Sequence, residues 1–350
     1  METNVRLRAR LKQGMVIPAH PLALTGDGRF SDRHQRALTR YYAAAGAGGL
    51  AVGVHTTQFE IRDRGLFRPV LESASDVARS LDTGGQSLFL VAGVTGKTNQ
   101  AEEEARLATE LGYDAGLLSL AAMKDATDDE LITHCSRIAE IIPVFGFYLQ
   151  PAVGGRPLSF GFWRRFMEIP GVVAVKVSPF NRYQTLDVVR ALYESGRSNE
   201  IALYTGNDDA ILADLVTPFQ LDGDSDRRIY FSGGLLGHWA FWTKRAVEHL
   251  ARCKQARDSG SIPTELLTLA AQITDLNAAV FDAANHFEGC VPGINYMLYR
   301  TGLLPSIRCL NERESMSSSQ MGEVERVIAA YPHLSDDDFV RAHVDEWLRA

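Results

Sequence analysis

Eight short apolar runs, each followed by an amphipathic stretch of helical length, set the fold class of this chain. The runs lie near 14–19, 48–54, 87–93, 114–119, 143–148, 171–177, 200–206 and 228–233. A strand with one wet face alternates apolar and polar residues, whereas these runs are apolar at successive positions, as strands buried on both faces are. Eight such βα units in a row fit a closed (β/α)8 TIM barrel of the α/β class better than an open doubly wound sheet.

Local signals mark where the helices start and stop. Ser31-Asp32 precedes a helical stretch at 32–45 and Thr127-Asp128-Asp129-Glu130 precedes one at 129–140, while Glu102, Glu103 and Glu104 fall early in a stretch at 99–111, where acids suit the helix dipole. Gly46 and Gly112 stand where two of these stretches end. After residue 254 the alternation stops. Asp258-Ser259-Gly260-Ser261-Ile262-Pro263 reads as a linker into helices at 263–286, 291–302, 316–331 and 335–349. The expected organisation is a lead-in over 1–13, the barrel over 14–254 and an appended C-terminal helical bundle over 255–350, packed on the barrel wall or on a neighbouring subunit.

In such a barrel, catalytic groups sit at the C-terminal ends of strands and in the loops that follow. Those ends are therefore the candidate site. Lys176 closes the run Gly171–Val175, and Tyr148, 28 residues earlier, closes the run Pro143–Phe147. A lysine at the inner end of a buried strand loses hydration of its charged form, which lowers its pKa and leaves a nucleophilic amine able to form a Schiff base. Its plainer alternative, an amine reaching into solvent, is countered by the neighbourhood. The second run ends in Gly53-Val54-His55-Thr56-Thr57-Gln58-Phe59-Glu60, the seventh in Thr205-Gly206-Asn207-Asp208-Asp209 and the eighth in Ser232-Gly233-Gly234. Together these supply an amine, a phenol, two hydroxyls and a polar rim. Thr56 and Thr57 are also what a strand of high β propensity would end on without any function.

On these residues the chain resembles the dihydrodipicolinate synthase and N-acetylneuraminate lyase family of class I, pyruvate-handling aldolases. The resemblance rests on Thr56 and Thr57 followed by Glu60, Tyr148 followed by Pro151, Lys176 at its spacing from Tyr148, and the Gly206-Asn207-Asp208 turn. Ala19-His20-Pro21-Leu22, Gly26-Asp27-Gly28 and the helical tail match as well. The resemblance implies that Lys176 attacks the keto carbon of pyruvate or another 2-oxo acid and that Tyr148 moves protons. Thr56 and Thr57 would hold the carboxylate; by their places at strand ends, Gly206, Asp208 and Ser232 are expected to complete the substrate site. It also implies a homotetramer.

The chain departs from the lysine-pathway synthases at several points. Leu120-Ala121-Ala122-Met123 stands in place of a relay tyrosine, Val153 in place of an arginine, and Val177-Ser178-Pro179 after the lysine. A second substrate other than the lysine-pathway aldehyde is therefore expected. The same iminium would support dehydration of a 2-oxo sugar acid, and a barrel kept as a non-catalytic ligand sensor is the remaining alternative.

Other signals are set aside. Gly93-Val94-Thr95-Gly96-Lys97-Thr98 lacks the first glycine of a phosphate loop, because that position is Val91, and the segment is expected to line the barrel mouth. Four cysteines, Cys135, Cys253, Cys290 and Cys309, have neither metal-ligand nor disulfide-scaffold spacing, and His286 with Glu288 does not make a metal site. No metal or cofactor is called for. With a formal net charge of −7, the basic cluster Arg6, Arg8, Arg10 and Lys12 reads as a solvated lead-in rather than a nucleic-acid contact. The apolar runs are too short to span a membrane, and the first residues lack a signal-peptide core, so a cytoplasmic protein with a small-molecule 2-oxo acid partner is expected.

Overall fold

The computed structural model describes residues 2–81, 87–223 and 227–349, with side chains from Val5 onward; Met1 and Ala350, the outer ends of the lead-in and of the helical region, lie outside the described residues. Eight strands form the centre: β1 (Val16–Pro18), β2 (Gly49–Val52), β3 (Phe89–Val94), β4 (Ala115–Leu118), β5 (Val144–Leu149), β6 (Val172–Ser178), β7 (Ala202–Thr205) and β8 (Phe231–Leu236). Every neighbouring pair is parallel, in the order β1-β8-β7-β6-β5-β4-β3-β2. Closure comes from Ala19 beside Ala51, where the His20 amide donates to the Ala51 carbonyl at 2.8 Å. The expected (β/α)8 barrel is thus present.

Around it run α1 (Glu2–Gln13), α2 (Asp32–Ala44), α3 (Phe67–Ser80), α4 (Thr98–Glu110), α5 (Asp128–Ala139), α6 (Phe160–Phe166) and α7 (Arg182–Ser195). They are followed by α8 (Ile211–Val216), α9 (Thr243–Ser259), α10 (Thr264–Val280), α11 (Cys290–Tyr299), α12 (Ser318–Ala330) and α13 (Asp337–Arg349). The boundary drawn at 254 falls inside α9. Two apolar layers result. Ile17, Phe89, Val91, Leu117, Phe145, Phe147 and Tyr204 fill the barrel, while Tyr42, Leu71, Tyr148, Trp163 and Phe231 lie between strands and helices.

The lead-in is not solvated, contrary to expectation. As α1 it plugs the N-terminal end of the barrel: Leu11 is fully buried, and the Tyr204 hydroxyl, inside the barrel, donates to the Leu11 carbonyl at 2.9 Å. The basic side chains answer backbone carbonyls left over where strands begin. Arg8 donates to the carbonyls of Pro170 (2.7 Å), Val172 (3.0 Å) and Glu200 (3.0 Å), Lys12 to that of Ser198 (2.7 Å), and Arg10 to those of Gly48 and Ser87. Carbonyls that are partly buried must find donors, and a basic helix supplies them.

The C-terminal helices close over the other end. The helix expected across 263–286 stops at Val280, because Asp282 (φ 54°) and His286 (φ 54°) adopt left-handed backbone around a short 3-10 turn at Ala283–Asn285. That break brings Phe281 and Phe287 to the barrel mouth. Further on, α13 packs on α2 through Tyr41 and Trp347, whose ring centroids are 5.5 Å apart, and the Trp242 indole donates to Asp337 at 2.7 Å. No helix among the described residues is long and apolar enough to cross a membrane.

Replacing Arg8 by alanine strips donors from three carbonyls, two charged-group bonds' worth or more at about 1.5–3 kcal/mol each before relaxation and water are counted. Calorimetry should show the unfolding midpoint of Arg8→Ala lowered by several degrees, against little change for Arg349→Ala, whose side chain is 78% exposed.

Candidate active site

At the C-terminal end of the strands a cleft with about 540 Å³ of space, open solvent at its mouth included, is lined by Lys176, Thr56, His55, Gly206, Asp208, Ser178 and Cys290 among others. Lys176 points inward from β6, and its ammonium nitrogen lies 4.6 Å from the centroid of the Phe147 ring on the adjacent strand. Burial pushes its pKa down to about 8, against the opposing pull of Asp208 and Cys290. Gly206 makes room for it: a Cβ there would lie 2.6 Å from the Lys176 Cε and 2.6 Å from the Ser178 Cβ.

Asp208 faces this amine from the loop after β7. Burial raises its pKa to about 7, with Lys176 and the His238 amide pulling the other way. The loop is braced on all sides. The His238 amide donates to Asp208 Oδ1 at 3.1 Å, and Asn277 of α10 donates to the Asp208 carbonyl at 2.7 Å. Asn207 donates to Asp214 (3.0 Å) and Thr185 (3.2 Å), and it accepts from the Phe180 amide (3.1 Å). Asp214 is itself fully buried between Arg182 (2.6 Å) and Thr205 (2.6 Å). A carboxylate so fixed keeps its orientation without substrate.

The two threonines separate. Both sit in a 3-10 turn, His55–Thr57, after β2. Thr56 lines the cleft, and its buried hydroxyl has no hydrogen-bond partner, so it is free to meet a ligand. The Thr57 hydroxyl is already committed: it accepts from the Gly53 and Val54 amides and donates to the His20 carbonyl at 2.7 Å. Its side chain shapes the turn rather than the cleft wall. His55 lines the cleft with a pKa lowered to about 4 by burial and by Lys176, so its ring is neutral at physiological pH.

Two expected residues are not at the site. Tyr148 pairs in register with Val177, one step beyond the Phe147–Lys176 pair, and therefore faces the opposite side of the sheet. Its hydroxyl accepts from the Leu158 amide (3.1 Å) and donates to the Leu158 carbonyl (3.3 Å), and its ring packs 5.2 Å from Trp163 under α6. Ser232 lies at the beginning of β8, next to Gly14, because this strand starts at Phe231 and runs on to Leu236. The eighth strand instead delivers Gly237 to the cleft.

Arg156 donates to the carbonyls of Met123 (2.8 Å) and Ala126 (2.8 Å). It does not line the cleft. Lys97 and Thr98 line a different surface groove, beside α5, rather than the barrel mouth. Residues the sequence reading passed over include Phe147, Phe281, Phe287 and Cys290. Cys290 keeps its thiol protonated through burial and the nearby Asp208. A signal for Phe147 existed, since it sits one position from Tyr148; the three C-terminal residues left none. Among the described residues, no group of three or more His, Cys, Asp or Glu side chains could hold a metal.

No family model matches the chain. It is 26% identical over 205 residues to N-acetylneuraminate lyase of Citrobacter koseri, covering 57% of this chain and 65% of the relative. To probable 5-dehydro-4-deoxyglucarate dehydratase 2 of Streptomyces coelicolor it is 30% identical over 172 residues, 48% of this chain and 50% of the relative. The chain thus spans between half and two thirds of the length of these curated relatives. In fold it is similar to dihydrodipicolinate synthase of Acinetobacter baumannii, solved with pyruvate, with a TM-score of 0.73, 19% identity and coverage of 90% of this chain and 98% of that one. It is also similar to the Clostridium difficile protein CdNal, solved with mannosamine, with a TM-score of 0.72, 16% identity and coverage of 91% and 99%. Similarity to the dihydrodipicolinate synthase and N-acetylneuraminate lyase family is therefore found in sequence over part of the chain and in fold over nearly all of it.

The geometry separates two substitutions. Tyr148→Phe removes a buried hydroxyl bridge and should cost about 1–3 kcal/mol in thermal or urea unfolding, while leaving the pH at which the Lys176 amine becomes reactive to competitive acylation unchanged. Gly206→Ala, by forcing the Lys176 side chain aside, should move that pH as well as destabilise the fold by about 1–3 kcal/mol.

Proposed function

We propose that this chain is a Schiff-base lyase of the aldolase type in which the Lys176 amine attacks the keto carbon of pyruvate or another 2-oxo acid. What carries the reading is Lys176 itself: a buried amine with its pKa lowered to about 8, beside a fixed carboxyl, at the C-terminal end of a barrel strand. A neutral amine there adds to the ketone, and loss of water gives an iminium that accepts the electrons of the neighbouring C–C bond in cleavage, or of the adjacent C–H bond in dehydration, after which the enamine expels hydroxide from the next carbon. Lyase and dehydratase names among the relatives agree with this class.

Roles for the other residues follow from their placement. The free Thr56 hydroxyl is a donor for the substrate carboxylate, and Gly206 keeps the wall clear for the lysine. Asp208, with a pKa near 7, is suited to take and return a proton at neutral pH. It thereby does the work first expected of Tyr148, which lies behind the sheet. Dehydration of a 2-oxo acid is the second reading, favoured by the Streptomyces coelicolor dehydratase, and there the enamine left by proton loss next to the iminium expels hydroxide instead of a C–C bond breaking. The lysine-pathway aldehyde is not the second substrate in either reading. A homotetramer is the assembly the family resemblance implies, to be read by light scattering of the purified chain.

Mass spectrometry after borohydride reduction with pyruvate tests the reading. A pyruvyl-sized adduct should appear on the Lys176 peptide and be absent from Lys176→Ala; no adduct on folded protein with pyruvate or with any of a panel of 2-oxo acids would leave the ligand-sensor alternative standing. The pH profile adds a sign. Only the neutral amine reacts, so the trapping rate should rise as pH passes about 8. Asp208 raises the Lys176 pKa, so Asp208→Asn should move that midpoint to lower pH. A midpoint that stays put in the variant would show that the two groups do not interact.

A further inference from the structure

Beyond Lys176 and a polar edge of His55, Thr56, Gln150, Ser178 and Asp208, the cleft wall is largely apolar. Phe147, Phe180, Phe281, Phe287, Ile294 and Val153 form most of its remaining wall, and Lys176 is the one Lys or Arg among the described residues that line it. A second acid group on the substrate would thus meet no cation other than the one consumed in forming the iminium. It would also face the Asp208 carboxylate. A polyhydroxylated chain reaching the aromatic end would fare little better, because hydroxyls taken from water need partners and phenyl rings offer none.

The aromatic wall is built, not incidental. Phe180 and Phe287 meet edge to face, centroids 5.6 Å apart at 75°, from two segments more than a hundred positions apart in sequence. Both hold left-handed backbone, with φ of 51° and 67°, a conformation that bulky residues rarely adopt unless their surroundings impose it. The surroundings are visible: the Phe180 amide donates to Asn207, and the Phe287 amide donates to the Asp282 carbonyl at 3.1 Å. Each ring remains only half-buried, so apolar surface is held at the mouth of the cleft without being covered. Outside it, the polar groups change. His286, Glu288, Arg313 and Glu314 line the adjoining vestibule, where two acids offset the one arginine.

We infer that the part of the substrate beyond the keto carbon carries an uncharged aryl group, seated against the Phe180–Phe287 pair. The inference rests on the Schiff-base reading and adds the substrate class to it. In the condensing direction the enamine carbon of the lysine-bound pyruvate forms a bond to the carbonyl carbon of an aryl aldehyde. The carbonyl electron pair moves to oxygen, which takes a proton from Asp208, and water then hydrolyses the iminium to free Lys176 and the 4-aryl-4-hydroxy-2-oxo acid. Edge-to-face rings bind a third ring well, since the positive edge of one meets the negative face of the next.

Borohydride trapping titrated with four 2-oxo acids tests this: pyruvate, 2-oxo-4-phenylbutanoate, 2-oxoglutarate and 2-oxo-3-deoxygluconate. The aryl acid should reach half-maximal trapping at a concentration at least about tenfold below that of 2-oxoglutarate or the sugar acid, the scale of a ring moved from water into an apolar pocket. Phe287→Leu and Phe180→Leu should each narrow the ratio of aryl acid to pyruvate by several-fold. Trapping of pyruvate together with equal or stronger trapping of 2-oxoglutarate or the sugar acid would overturn the aryl assignment alone, and loss of that 2-oxoglutarate trapping in Arg313→Ala would point to the vestibule as the second acid's site. Trapping of none of the four would overturn both readings.

Discussion

A side chain on a closed parallel barrel has two destinations, the interior or the layer beneath the helices, and consecutive residues must take them in turn. This alternation governs the site more than any single contact. It sends Lys176 and Phe147 inward side by side, and it sends Tyr148 and Val177 outward. A β-bulge where β6 passes Val144 and Phe145 fixes which parity the upper part of that strand has. The amine therefore meets a phenyl ring and a carboxyl, and the phenol ties Leu158 to the outer face of the sheet.

Burial then turns position into chemistry. An ammonium and a carboxylate each lose hydration in the cleft, so the amine becomes more acidic and the carboxyl less acidic. The braces on the Asp208 loop, from His238 and from Asn277 of α10, hold the carboxyl in place. Through them the C-terminal helices become part of the site. Their broken segment at Phe281–Phe287 also provides the apolar roof, so the region appended to the barrel supplies part of the cleft wall.

Both ends of the barrel are finished by residues from outside the βα repeat. At the bottom, α1 plugs the opening with Leu11 and satisfies strand-start carbonyls through Arg8, Arg10 and Lys12. The positive charges read in the sequence as a solvated cluster are thus hydrogen-bond donors to backbone. Charge pattern alone does not distinguish water from a carbonyl as the partner.

Composition pattern determined the architecture, because strands buried on both faces must be continuously apolar and their regular spacing admits few arrangements. It also marked Lys176, since an amine in such a run is conspicuous. The same uniformity hid the parity: when inner and outer positions are equally apolar, nothing in Phe145-Gly146-Phe147-Tyr148 tells which residues face the centre. Only pairing with the neighbouring strand decided that, and it exchanged Tyr148 for Phe147. The ends of β8, the split of Thr56 from Thr57, and the arrival of Phe281, Phe287 and Cys290 from the far end of the chain were likewise settled in three dimensions. Each depends on contacts between residues distant in sequence, which local propensity does not encode.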